Sequence, residues 1–208
     1  LRLFFQILFI SKYIMAKTAR DLGLKSDDSV LIIAEAGVNH LGCIEKAKLL
    51  IDIAVECNSD AVKFQKRTVS RILTKEGLDA PYNSIHSFGK SYGEHKNFME
   101  FNFDQFRELK EYADQKGIMF TASGWDEQSV DFLDDLGVPF FKMASADLTN
   151  LNLMLHTARK GKPMIISTGM SDLKTVIEVY NEISKINDKI AILQCTSTYP
   201  SEPDEVNL

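Results

Sequence analysis

The chain has 208 residues, 45% of them hydrophobic, enough to bury the core of a soluble domain, and it carries no low-complexity bias. Its 24 Lys and Arg face 29 Asp and Glu, and the formal charge of -5 argues against nucleic acid or an anionic membrane as main partner, so any bound anion must be caught by a local site. Cys43, Cys57 and Cys195 are too widely spaced for a disulfide framework or a zinc pair, and no apolar run reaches the roughly 18 to 20 residues of a spanning helix. The expectation is a cytoplasmic protein with reduced thiols.

Residues 1–29 read as an N-terminal extension outside the fold, with Met15 the expected initiator; the apolar start lacks the small-residue cleavage site of a secretory signal. From Val30 onward, short apolar runs alternate with stretches of helical period, the pattern of a parallel sheet wrapped by helices. Strands are predicted at 30–34, 61–65, 118–122, 139–143, 164–167 and 190–194. Ile44, Ala47, Ile51, Ala54 and Val55 form one helical stripe, and Leu173, Val176, Ile177, Tyr180 and Ile183 another, each facing a sheet.

Gly117, Gly137 and Gly161 precede strands, where a left-handed residue ends a helix, and Asn58 takes the same place after the first helix. The connection 66–100, polar and turn-rich, is expected to be a long functional loop over the strand ends. Six strands fit either a doubly wound sheet or an eight-stranded β/α barrel lacking two strands, and spacing does not choose between them.

Polar residues gather after the apolar strands, where both architectures place their sites: Glu35 and Asn39, Lys63 and Gln65, Ser123, Lys142 and Ser145, Ser167 and Thr168, Thr196 and Ser197. Lys63 and Gln65 alternate with Val62 and Phe64 and so share one face of their strand, while Lys142 sits among Phe140, Phe141 and Met143. Buried ammoniums need counter-charge, and two of them imply an anion between them, with serine hydroxyls as neutral donors. The inference is a small phosphorylated or carboxylated metabolite. No nucleotide-binding loop, nucleophile elbow or metal-binding histidine spacing is present; His86, His95 and His156 read as loop or surface residues, and His40 as a residue lining the site.

Five blocks in order resemble the sialic acid synthase family: Ile33-Ala34-Glu35-Ala36-Gly37-Val38-Asn39-His40; Asp60-Ala61-Val62-Lys63-Phe64-Gln65; Phe141-Lys142-Met143-Ala144-Ser145; Ser167-Thr168-Gly169-Met170; and Gln194-Cys195-Thr196-Ser197-Thr198-Tyr199-Pro200 running to Val206-Asn207-Leu208. The words Tyr92-Gly93-Glu94-His95-Lys96 and Phe120-Thr121-Ala122-Ser123-Gly124 are similar to the animal form, associated with N-acetylmannosamine 6-phosphate; bacterial relatives use the free sugar. The resemblance implies a β/α (TIM) barrel, incomplete over 30–208, with phosphoenolpyruvate held by Lys63, Ser123, Lys142, Ser145, Ser167 and Ser197. It places Glu35, Gln65, Asp147 and Tyr199 near the reacting centre or the sugar.

In that reaction carbon 3 of phosphoenolpyruvate attacks the open-chain aldehyde, water adds to carbon 2 and phosphate leaves. A divalent metal, Mn or Mg, is implied with its two histidine ligands beyond Leu208, as is a homodimer of the full-length protein. Ala146 and Asn58 stand where glycines are common in the family, and alanine there is expected to crowd the phosphate loop. Two other readings remain open: a lyase with Lys142 as Schiff-base nucleophile, and a non-catalytic binding or oligomerisation module.

Overall fold

A computed structural model describes residues 17–206. Two compact units are formed, one by Leu31–Pro139 and the other by 140–206 together with residues 17–30.

The first unit runs β1 (Ile33–Gly37), α1 (Ile44–Glu56), β2 (Ala61–Lys66), three helices α2 (Val69–Ile72), α3 (Lys75–Asp79) and α4 (Tyr92–Met99), then α5 (Phe103–Lys116), β3 (Met119–Gly124) and α6 (Glu127–Asp135). Its strands pair in parallel in the order β1-β2-β3. Val62 and Phe64 of β2 and Phe120 of β3 point to the helices, where Phe64 stacks on Phe120 at 5.4 Å and Phe106 of α5 meets Phe120 edge-on at 6.1 Å. All three rings are fully buried, each worth about 1.5–3 kcal/mol of apolar burial.

The helix ends follow their local chemistry. Asn102 and Gln105 form a reciprocal cap at the start of α5, and Gly117, at φ 75°, ends it in the left-handed conformation. Asp126 caps α6 through Ser129 N at 2.9 Å and also accepts from Thr68 N at 2.6 Å, tying the exit of β2 to that helix. Asn58 is left-handed at φ 54°, in agreement with its expected part after α1.

The second unit runs β4 (Phe141–Met143), a 3-10 turn (Ser145–Asp147), α7 (Leu151–Ala158), β5 (Met164–Ser167), α8 (Leu173–Ile183), β6 (Ile190–Leu193) and a last 3-10 turn (Pro203–Glu205). Its sheet is again parallel, in the order β4-β5-β6. Val176, Val179 and Ile183 are the buried positions of α8, an i, i+3, i+7 stripe. Of residues 17–30, Leu22 is buried and Lys17 Nζ lies 3.3 Å from Asp188 Oδ2.

The architecture is therefore α/β with parallel sheets, and every predicted strand is present, β5 with the expected bounds and the others shifted by one to three residues at an end. β1 lies three residues later than expected, because Ile32 pairs outside the strand: its N–H donates to Asp60 Oδ2 at 2.7 Å and its carbonyl accepts from the N–H groups of Asp60 and Ala61. β4 loses its first two predicted residues, Pro139 having no N–H to offer a ladder. The connection 66–100 is not a plain loop: three helices occupy it, and Pro81 and Ser91 form an antiparallel bridge that closes the turn between α3 and α4.

Candidate active site

In the first unit, register does the positioning. Glu35 is paired with Lys63, and Lys63 with Thr121, so these side chains leave one face of the sheet; Gln65 and Ser123, paired two residues further on, leave the same face. Lys63 Nζ lies 2.6 Å from Glu35 Oε2 and donates to Ser123 Oγ at 3.3 Å. The lysine is buried while the Glu35 side chain is 52% exposed, so a desolvated ammonium is offset by a carboxylate that faces water. The counter-ion of Lys63 is thus within the protein, where the sequence had called for a bound anion alone.

Between Glu35 and Gly37 the register of β1 slips, and Gly37 turns left-handed at φ 56°. A methyl on Gly37 would lie 3.2 Å from Glu35 Oε1 and 3.7 Å from Gln65 Nε2, so both side chains fold over this glycine. Gln65 Oε1 in turn accepts from Arg67 Nη2 at 2.8 Å.

Beside them sits a charge network that was not anticipated from sequence. Lys66, on the helix-facing side of β2, donates to Glu100 Oε1 at 2.8 Å and to the carbonyls of Arg67 and Phe101. Arg67 Nε is 3.2 Å from Glu100 Oε2 and its guanidinium lies 5.7 Å from the Trp125 ring centre. Lys66 and Arg67 are both buried, and a cleft of about 390 Å³ runs along the network past Asn97, Asn102 and Gln128. Lys66 was expected in the connection after a strand ending at residue 65; the strand runs one residue further, and period-two alternation from Val62 and Phe64 then puts Lys66 on the buried face, where it needs a carboxylate.

His40 does not line the strand-end cluster. It is buried and stacked on Phe101 at 4.1 Å, and Nδ1 accepts from Gly42 N at 3.1 Å. Burial, with the Arg67 charge nearby, pushes its pKa down to about 4, a neutral core imidazole. His95, expected at the surface, is buried against Tyr82 at 4.4 Å, and burial lowers its pKa as well.

The second unit repeats the lysine–serine arrangement. Lys142 is paired with Ile165, and its ammonium donates to Ser167 Oγ, two residues above that pair, and to the Met143 carbonyl at 2.9 Å. Lys63 reaches Ser123 by the same step, two residues above its own pair on the next strand. The Gly169 N–H donates to Ser145 Oγ at 3.1 Å, and a methyl on Gly169 would strike both Ser145 and Ser197, so the segments after β4, β5 and β6 meet at this glycine.

Asp147 follows in the turn, buried, with Oδ2 lacking any hydrogen-bond partner among the described residues; desolvation raises its pKa to about 6. Tyr199 stands apart at 93% exposure, and Ala146 is exposed. Among the described residues no group of three or more His, Cys, Asp or Glu is placed to hold a metal ion, so these residues do not form a metal site by themselves. No helix among them is long and apolar enough to cross a membrane.

Fold and site together define a parallel α/β protein with lysine–hydroxyl clusters at the carboxyl ends of its strands. The chain belongs to the NeuB family, whose model matches residues 50–208. It is 49% identical over 177 residues to an N-acetylneuraminate-9-phosphate synthase of Homo sapiens, covering 85% of this chain and 49% of the relative. It is 38% identical to an N,N'-diacetyllegionaminic acid synthase of Legionella pneumophila, covering 88% and 53%. An N-acetylneuraminic acid synthetase structure from Leptospira borgpetersenii, solved with citrate, superposes with a TM-score of 0.72 at 28% identity, covering 85% and 57%. The chain spans about half the length of the curated relatives it matches.

Proposed function

We propose that the protein carrying this chain condenses phosphoenolpyruvate with N-acetylmannosamine 6-phosphate, or with N-acetylmannosamine, to give a sialic acid or its 9-phosphate and inorganic phosphate. The observation that carries the reading is the buried Lys63 ammonium held between Glu35 and Ser123 at the strand ends, in a chain whose relatives are named as N-acetylneuraminate-9-phosphate and N,N'-diacetyllegionaminic acid synthases. The citrate-bound Leptospira relative adds support, since citrate is a small polycarboxylate.

In this reading Lys63 and Lys142 neutralise the phosphate and carboxylate of phosphoenolpyruvate, with Ser123, Ser145, Ser167 and Ser197 as hydroxyl donors. Gln65, Asp147 and Tyr199 meet the sugar, and Glu35 moves a proton as carbon 3 bonds to the aldehyde carbon and water adds to carbon 2. Phosphate departs by cleavage of its bond to carbon 2. A divalent metal, Mn or Mg, would draw its ligands from outside the described residues; a β/α barrel and a homodimer complete the proposal, with 30–208 as part of the barrel and 1–29 as an extension.

The test is phosphate release by the full-length protein given phosphoenolpyruvate, Mn or Mg, and either sugar. Release that requires the sugar and falls on the order of 100-fold in Lys63→Ala supports the reading and names the acceptor. No release with either sugar overturns it.

A further inference from the structure

We propose that Arg67 is a positioning residue that fixes Gln65 as a hydrogen-bond donor, so that the substrate group held by Gln65 is an acceptor, a carbonyl oxygen of the acceptor sugar. For the identity of that ligand the proposal rests on the function given above; the geometry stands without it.

A glutamine amide has an accepting end and a donating end, and its neighbours decide which end faces where. Guanidinium nitrogens only donate, and Arg67 Nη2 lies 2.8 Å from Gln65 Oε1. The carbonyl end of Gln65 is therefore turned toward the arginine and Nε2 away from it. Nε2 and Glu35 Oε1 both lie over Gly37, 3.7 Å and 3.2 Å from the point a methyl there would fill, so a donor and a carboxylate flank one spot.

Arg67 is itself held: its side chain is 7% exposed, with Nε near Glu100 Oε2, its backbone N–H donating to Glu100 Oε1 at 3.1 Å, and its guanidinium beside Trp125. A flipped Gln65 would set its NH2 against these donors and lose a charge-assisted bond, which biases the orientation by roughly 10- to 100-fold. A donor at this position strengthens its bond as a carbonyl oxygen gains negative charge, whereas a sugar hydroxyl offering its proton would have to reach the second lone pair of Gln65 Oε1, on the end of the amide turned toward Arg67.

The experiment uses the full-length protein with Arg67→Met, Gln65→Ala and both together. The proposal expects Arg67→Met to raise KM for the acceptor sugar roughly tenfold, to leave KM for phosphoenolpyruvate within about twofold, and to add less than about twofold on the Gln65→Ala background. An equal effect in both backgrounds overturns it. The side-chain amide resonances of Gln65, assigned by their loss in Gln65→Leu, should shift in Arg67→Met; unmoved resonances also overturn it, and this reading decides the matter even if wild-type protein shows no condensation and the functional proposal has failed. Should Arg67→Met not fold, Gln65→Glu leaves the arginine in place but replaces the donor by an acceptor, and activity equal to wild type would overturn the proposal, whereas a loss as large as in Gln65→Ala supports it.

Discussion

Replacing Asp147 by Asn should make this protein more stable at alkaline pH and flatten part of its pH dependence. The Asp147 carboxyl is buried in the turn after β4 with one oxygen unpartnered, and desolvation raises its pKa from 3.8 to about 6. The fold prefers the protonated form, so this contribution to stability is intact below the unfolded pKa near 4 and is lost as pH rises through about 6. A rise from 3.8 to about 6, at about 1.4 kcal/mol for each tenfold change in proton affinity, gives a ceiling of about 3 kcal/mol, and water reaching the remaining exposed surface reduces it to about 1–3 kcal/mol. Urea unfolding of wild type and Asp147→Asn between pH 4 and pH 8 measures it: the two stabilities should diverge by that amount as pH rises. A difference constant to about 0.5 kcal/mol across the range would refute the account of a desolvated, unpartnered carboxyl.

Three further outcomes are expected. Glu100→Gln leaves the buried Lys66 and Arg67 without their shared carboxylate and should cost about 3 kcal/mol in urea unfolding at neutral pH; a loss below about 1 kcal/mol would mean the network is not desolvated. Gly117→Ala places a methyl where nothing lies within 4 Å, so its cost should be the left-handed backbone alone, about 1 kcal/mol, while Gly124→Ala, 2.9 Å from a Val130 methyl, should cost more. The His40 imidazole should titrate by NMR near pH 4, and the stability it contributes as a neutral ring, fully present above pH 6.5, should be lost as pH falls toward that value; a midpoint near 6.5 would contradict its stacking on Phe101.

What could be read from the sequence was what repeats locally. Alternation of Val62, Lys63, Phe64 and Gln65 gave the two faces of β2, and glycines 117, 137 and 161 marked helix ends because each takes a positive φ. The helices within 66–100 escaped because two of them are four and five residues long, too short for a helical period to register, although the Ser91 and Glu94 capping pair was visible ahead of α4. At the site, Glu35, Lys63, Gln65 and Ser123, expected at strand ends, lie on one face of the first sheet, since strand-end position alone brings them together. Arg67 and Glu100 were missed because they meet across 33 residues, and no local pattern in Arg67-Thr68-Val69 records the carboxylate that neutralises it. His40 misled because a histidine just past a strand looks the same in sequence whether it faces a ligand or Phe101.

The diagonal from each lysine to the serine two residues up the neighbouring strand also acts as a ruler during assembly. Parallel strands of similar apolar residues could pair one step out of place at little cost to their hydrogen bonds, but a one-residue slip would carry Lys63 or Lys142 to the opposite face from its hydroxyl. The misaligned sheet would then bury an ammonium among phenylalanines with no oxygen in reach, so the groups proposed to hold the substrate would also be the ones that reject the wrong alignment.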